Sequence, residues 1–139
     1  MSRKHDLSDA EYEALASFRL AIRRFLHFSR ERAREAELNP AQHQALLAVR
    51  AAPDRRLSIG ELGRILFLKP HTASELATRL TSSGLLMRVA GADARERLLE
   101  ITLEGEECLK ALSQVHRDEI KRIKPMLAEV MRQLEEPED

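Results

Sequence analysis

The stretch from Gly84 to Gly105, GLLMRVAGADARERLLEITLEG, holds two short apolar runs, residues 85–89 and 98–101, on either side of a small polar tip. Two such strands are marginal in water unless a third strand or a helix covers them. The tip, GADARER, is a tight turn followed by two arginines. Immediately before the hairpin come two short helical segments. Ser58 with Glu61 forms a capping box that starts the first. Pro70 opens the second, which runs to Ser83 and stops at Gly84, a residue suited to a left-handed C-terminal cap. Only Phe67, Leu68 and Lys69 separate them, the spacing of a helix-turn-helix. Leu57 and its neighbours supply the missing third strand.

The helix over 70–83 turns Ala73, Leu76, Ala77 and Leu80 to one side at spacings i, i+3, i+4 and i+7, which reads as the packed face. The opposite face shows His71, Ser74, Glu75, Thr78 and Ser82, with Thr72 and Arg79 at its edges. Ser and Thr are weaker helix formers than Glu or Lys, so their clustering asks for a reason. Reading base edges and phosphates in a major groove is one; an ordinary solvated face is the other. From this face alone the two stand level. The hairpin tips the balance, because a helix-turn-helix followed at once by a hairpin is a winged helix. Arg95 at the wing tip suits a narrow minor groove of high negative potential. Asp93 is expected to orient that arginine or to bridge to Arg79.

Working outward, Ser8 and Glu11 form a capping box for a first helix reaching about Ala36, with Leu15, Phe18, Ile22, Phe25, Leu26 and Ala33 at spacings of three and four. Such a helix is about 40 Å long, more than one small domain covers, so it is expected to extend toward a partner. Asn39 caps a second helix with Pro40 at its first position. Thr102 caps the C-terminal helix, which Pro125 is expected to break or kink. The expected fold class is mainly α with a small β-hairpin wing, in one domain over residues 1–139. Residues 39–102 form the winged-helix lobe, with recognition helix 70–83 and wing 85–102. Residues 8–36 and 103–136 form flanking dimerisation helices.

Composition narrows the function classes. The chain is 43% hydrophobic without Trp, so its core is Leu, Ala and Ile. The zero net charge hides a division: residues 55–100 hold eight basic and five acidic groups, residues 101–139 six and ten. Neutrality overall therefore does not exclude an anionic partner, since local potential decides. One cysteine excludes an internal disulfide and suits a reducing compartment. There is no apolar run of about 18 residues and no signal-peptide h-region, so a cytoplasmic protein is expected, on the nucleoid when bound to DNA. An enzyme is not expected, because there is no nucleophile elbow and no glycine-rich phosphate loop.

In order and spacing, these segments resemble the MarR family of bacterial transcription regulators. The wing carries Asp93-Ala94-Arg95 followed by Ile101-Thr102-Leu103-Glu104-Gly105, similar to the family's D-x-R and L-T-x-x-G signature. ATRLTSSGLLMR, with Arg79, Leu80, Gly84, Leu85 and Arg88, resembles the end of its recognition helix. LNPAQHQALLAVR and SIGELGRIL are similar to its second and third helices. The resemblance implies a homodimer joined through the first and C-terminal helices, here Leu15, Phe18, Ile22, Leu127 and Leu134. It implies a palindromic operator in double-stranded DNA, repression, and in many relatives release by small aromatic acids or other amphiphiles. The residues assigned to DNA are Ser58, Lys69, Pro70, His71, Thr72, Ser74, Glu75, Thr78, Arg79, Arg88, Asp93, Arg95 and Arg97. Lys69 stands where Ser, Thr or Asp would be the usual cap, and is expected to contact phosphate instead.

Other residues invite further readings. In such a dimer a ligand cleft between dimerisation helices and the DNA-binding lobe is the default site, with His27, Arg30, His43 and Phe67 as its candidate lining. Core packing explains most of these equally well. No metal and no cofactor is expected, since none of the five histidines makes an i, i+4 pair. Cys108 sits among Glu104, Glu106 and Glu107, which would raise its thiol pKa and favour a packing role over a sensing one. The rival function is a winged-helix protein adaptor or antirepressor that does not read DNA. It requires exposed Leu, Phe or Tyr on the fourth helix and no arginine at the wing tip.

Overall fold

The computed structural model describes residues 6–93 and 95–135. The expectations touching His5, Ala94 and the last position of 103–136 lie outside those residues. The elements are α1 (Asp9–Glu35), α2 (Pro40–Ala51), β1 (Arg56–Ser58), α3 (Ile59–Leu66), α4 (Pro70–Ser82), β2 (Leu86–Ala90), β3 (Arg97–Ile101) and α5 (Leu103–Gln133), with a 3-10 turn at Pro53–Arg55. The fold is mainly α with one small sheet. The chain divides into two units. One is residues 30–114, the other the described parts of 1–29 and 115–139.

In the first unit the helix ends are set by local chemistry. Asn39 accepts from the Gln42 N–H at 2.8 Å while the Gln42 carboxamide oxygen accepts from the Asn39 N–H at 2.9 Å, a complete capping box on α2. α4 ends in a Schellman turn: Leu85 N–H reaches the Leu80 carbonyl, Gly84 N–H reaches Thr81, and Gly84 takes the positive φ of 80° that the motif needs. α3 ends at Phe67, whose φ of 56° is also left-handed. For an L-residue that conformation costs roughly 1–2 kcal/mol, so the tight connection to α4 is made against the preference of its own residue.

The sheet order is β1-β3-β2, antiparallel throughout, so the hairpin gains a third strand from Leu57 and its neighbours. Leu57 faces Leu99, and Leu86 faces Ile101. These four join Leu46, Val49, Leu62, Leu76, Leu80, Leu109 and Leu112 in one buried cluster. Full burial of each such side chain contributes roughly 1.5–3 kcal/mol, which is how a hairpin too weak alone is held.

Thr102 ties the unit together. Its hydroxyl accepts from the Gly105 N–H at 3.0 Å and faces the Gly84 and Leu85 carbonyls at 2.5 and 3.1 Å. One residue thus caps α5, closes the end of α4 and joins β2. Gly105 lies so close beneath that a Cβ there would overlap the Leu85 carbonyl and come within 2.7 Å of Ile101. The threonine–glycine spacing of the wing signature is therefore a packing requirement.

The second unit holds most of α1 and the later part of α5. His116 is buried there against Phe25 and Phe28, edge-on at 5.8 and 5.7 Å, with its Nε2 2.7 Å from the Ser29 hydroxyl. The expected break at Pro125 does not occur: α5 continues through it to Gln133. Proline removes a single i to i−4 bond, and the bonds on either side carry the helix across.

Candidate nucleic-acid interface

α4 buries Ala73, Leu76, Ala77 and Leu80 and exposes His71, Ser74, Glu75, Thr78, Arg79 and Ser82, with Thr72 half-buried. Its start carries no side-chain cap: Lys69 occupies that position with extended backbone, and Pro70 follows. The N–H groups of the first turn of α4 therefore receive no side-chain cap, and the exposed Lys69 precedes them, a combination suited to an anion.

A side-chain hydrogen bond also joins the wing to α4. The Arg88 guanidinium on β2 donates to the Thr78 hydroxyl at 3.2 Å. Thr78 in turn donates its proton to the Ser74 carbonyl at 2.9 Å. Having one proton to give, Thr78 cannot also donate to a base in this rotamer; it positions Arg88 instead. The bond places the outer side of α4 and the base of the wing on one continuous surface.

At the tip, Gly91 N–H donates to the Glu96 carbonyl at 2.8 Å and Glu96 N–H to the Asp93 carbonyl at 2.9 Å. The Asp93 carboxylate accepts from the Arg95 N–H at 3.1 Å. It thus shapes the turn through the Arg95 backbone, and makes no ion pair with Arg79. Ser58, expected on the DNA face, is occupied as the cap of α3: its hydroxyl accepts from the Glu61 N–H at 3.1 Å and donates to the Glu61 carboxylate at 3.0 Å. That exchange replaces the backbone half of the expected capping box.

Charge pairing sorts the arginines of the lobe. Arg50 and Arg55 both reach Glu106 at 2.9 Å, and Arg56 reaches Glu100, its cross-strand neighbour, at 3.2 Å. Among the described residues, Lys69, Arg79, Arg88, Arg95 and Arg97 have no carboxylate partner, and all five are exposed. Arg88 and Arg97 flank a cavity of about 220 Å³ at the wing root, floored by Ile59, Leu98 and Leu99. Nothing in sequence spacing distinguishes paired from unpaired arginines, since the partners lie 44 to 56 positions apart in the chain.

The remaining assignments divide between the two units. Leu15, Phe18, Ile22 and Leu134 are exposed in the second unit, and Leu127 is half-buried. His27 belongs to the second unit and is exposed. Arg30, His43 and Phe67 belong to the first. His43 is buried, Arg30 exposed, and Phe67 is 96% exposed at the turn before α4, so its ring lines no cavity wall in its own lobe. Cys108 is half-buried, and burial, in place of the expected glutamates, pushes its thiol pKa up. Among the described residues no group of three His, Cys, Asp or Glu is placed to hold a metal ion, and no helix is long and apolar enough to cross a membrane.

Comparison with known proteins bears on the same region. The MarR family model matches residues 36–96, from just before α2 to the wing tip. No curated protein matches the chain by sequence. Among solved structures, a MarR family protein from Bacillus stearothermophilus is 21% identical, covering 86% of this chain and 84% of its own, with a TM-score of 0.72. A mutant of MepR from S. aureus bound to an oligodeoxyribonucleotide is 17% identical, covering 94% of this chain and 100% of its own, with a TM-score of 0.70. A MarR family transcriptional regulator from Streptomyces coelicolor in complex with DNA is 22% identical, covering 95% and 89%, with a TM-score of 0.69. At these identities the structures share the fold.

Proposed function

We propose that over residues 36–96, where the MarR family model matches, the chain is a MarR-family winged helix, and that it acts as a DNA-binding transcriptional regulator, not an enzyme. The observation that carries this reading is the Arg88–Thr78 bond, which joins α4 and the wing into one surface bearing five cations without carboxylate partners. A duplex supplies the missing anions. α4 enters the major groove with His71, Thr72, Ser74 and Glu75 toward base edges. Lys69, Arg79, Arg88 and Arg97 meet phosphates, and Arg95 enters the adjacent minor groove. Thr78 and Asp93 position arginines, Pro70 sets the start of α4, and Ser58 holds α3.

We further infer a homodimer. Leu15, Phe18 and Ile22 on α1 and Leu134 beyond α5 are exposed in the single chain, and an isologous partner would cover them. Two such lobes read a palindrome with half-sites about 34 Å apart, one helical turn. Repression is the action proposed. Release by a small aromatic or amphiphilic ligand would work by favouring a spacing of the two α4 helices that misfits the operator. The adaptor alternative calls for exposed Leu, Phe or Tyr on α4, and the exposed side of that helix carries none.

Selection of duplex DNA from a random pool with the purified protein tests the reading. Enrichment of a palindrome with half-sites one turn apart is the expected result. A pool that stays unenriched, with protein that binds duplexes weakly or not at all, would remove DNA as the partner.

A further inference from the structure

Phe67 is explained neither by packing nor by backbone conformation. Its side chain is 96% exposed, so it adds nothing to the core. Its φ of 56° and ψ of 40° place it in the left-handed region, where Gly or Asn is favoured and a bulky aromatic is an outlier. The turn itself does need that conformation: Leu68 N–H closes on the Gly63 carbonyl at 2.8 Å, and a Cβ at Gly63 would meet the Leu68 carbonyl oxygen at 3.3 Å. The fold therefore asks for a left-handed residue at 67 but not for a phenyl ring. A strained, solvent-facing aromatic points to function.

Its surroundings identify the partner. Lys69 and Pro70 follow within three residues, Arg64 precedes by three, and the uncapped start of α4 lies directly beyond. A recognition helix enters a groove with its N-terminal residues against the bases. The segment leading into that N-terminus then lies over the groove's edge, where deoxyribose faces and thymine methyl groups offer apolar surface between phosphates. A phenyl ring suits those groups, and the flanking cations suit the phosphates.

We propose that Phe67 is a DNA-contacting residue, an apolar anchor that packs its ring on sugar and thymine methyl surface at the edge of the operator. This rests on the reading of the chain as a DNA-binding protein and adds an interaction of a different chemical kind from the arginines. Its energetic signature differs accordingly. Removing a cation that meets phosphate lowers the salt dependence of binding; removing an apolar anchor lowers affinity at every salt concentration and leaves the dependence unchanged.

The test compares wild type, Phe67→Gly, Phe67→Asn and Phe67→Tyr on the duplex selected from the random pool. Fluorescence anisotropy is recorded across a salt series, and thermal unfolding is followed in parallel. Gly and Asn suit the backbone, so both variants are expected to fold with an unchanged or raised melting temperature. Their affinity is expected to fall about tenfold with the salt slope of wild type, and Tyr to retain most of the affinity. Wild-type affinity in Phe67→Gly, with wild type itself binding the duplex well, would overturn the assignment and leave the ring to a protein partner while the DNA-binding reading stands. A reduced salt slope would overturn it too, by showing that the substitution acts through the neighbouring cations. Wild type that binds no duplex would overturn both together.

Discussion

Arg55 and Arg56, just before and at the start of the edge strand β1, end at carboxylates; Arg97, on the central strand of the same sheet, and Arg95, at the wing tip, have no carboxylate partner and are exposed. All four are exposed guanidinium groups on the same lobe, and composition treats them alike. Around the start of α5, Glu106 gathers Arg50 and Arg55 at 2.9 Å each, and Glu100 holds Arg56 across the strand pair. Exposed ion pairs of this kind add little stability, but they remove positive potential from their side of the lobe. Beside α4 the arginines have hydroxyl or solvent partners only, so their charge stays available. The difference lies in the placement of acidic residues: Glu100 and Glu106 neutralise one side, and the wing tip uses Asp93 on a backbone N–H.

If the paired side serves the fold and the unpaired side serves DNA, substitutions on the two sides should move different observables. The largest effect is expected at Gly105, beneath the paired cluster. Gly105→Ala would drive a methyl group onto the Leu85 carbonyl and against Ile101, costing about 2–3 kcal/mol in urea unfolding. DNA affinity of the protein that remains folded should be little changed. Next comes Arg95→Ala on the other side, expected to weaken operator binding by roughly 1–3 kcal/mol with an unaltered unfolding midpoint. A shifted midpoint would mean that the wing tip also holds the fold. Smaller still is Glu106→Gln, which frees Arg50 and Arg55. Stability should drop by less than about 1 kcal/mol, and binding to random-sequence duplex should tighten as two cations are released. The smallest effect concerns Cys108. With its thiol pKa raised by burial, it should be alkylated by iodoacetamide at pH 8 more slowly than cysteine in a short peptide. Faster alkylation would show an exposed, activated thiol.

How far the sequence reveals these features depends on the range of the forces involved. Caps and stops are legible because they are local: Asn39, Ser58, Thr102 and Gly84 act on backbone groups within a few residues. The inward face of α4 is legible because periodicity is a property of the helix alone. The third strand follows from Leu57 because an unsupported hairpin needs one. Thr78 reads as a base contact in sequence, and only the folded chain shows its proton engaged by Ser74 four residues earlier, with Arg88 arriving from another strand. Arg56 and Glu100 are 44 positions apart and become neighbours once the strand register is known. Pro125 carries a strong local rule against helix, and the helix on either side overrides it. Phe67 reads in sequence as a pocket residue and gives no sign of its exposure or left-handed backbone, because that conformation is set by how α3 and α4 connect, and its own residue type argues for something else.

That pairing decides which arginines serve DNA is tested most directly by salt titration of the selected duplex with Arg95→Ala beside Arg56→Ala. Removing one cation from a phosphate lowers the slope of log K against log salt by about one unit. Arg95 and its unpaired neighbours are expected to move that slope, or in the minor groove to lower affinity outright, while Arg56→Ala leaves both slope and affinity at the wild-type values. Equal losses of affinity in the two variants would contradict this, because a guanidinium already held by Glu100 would then be contributing as much to the duplex as one held by nothing.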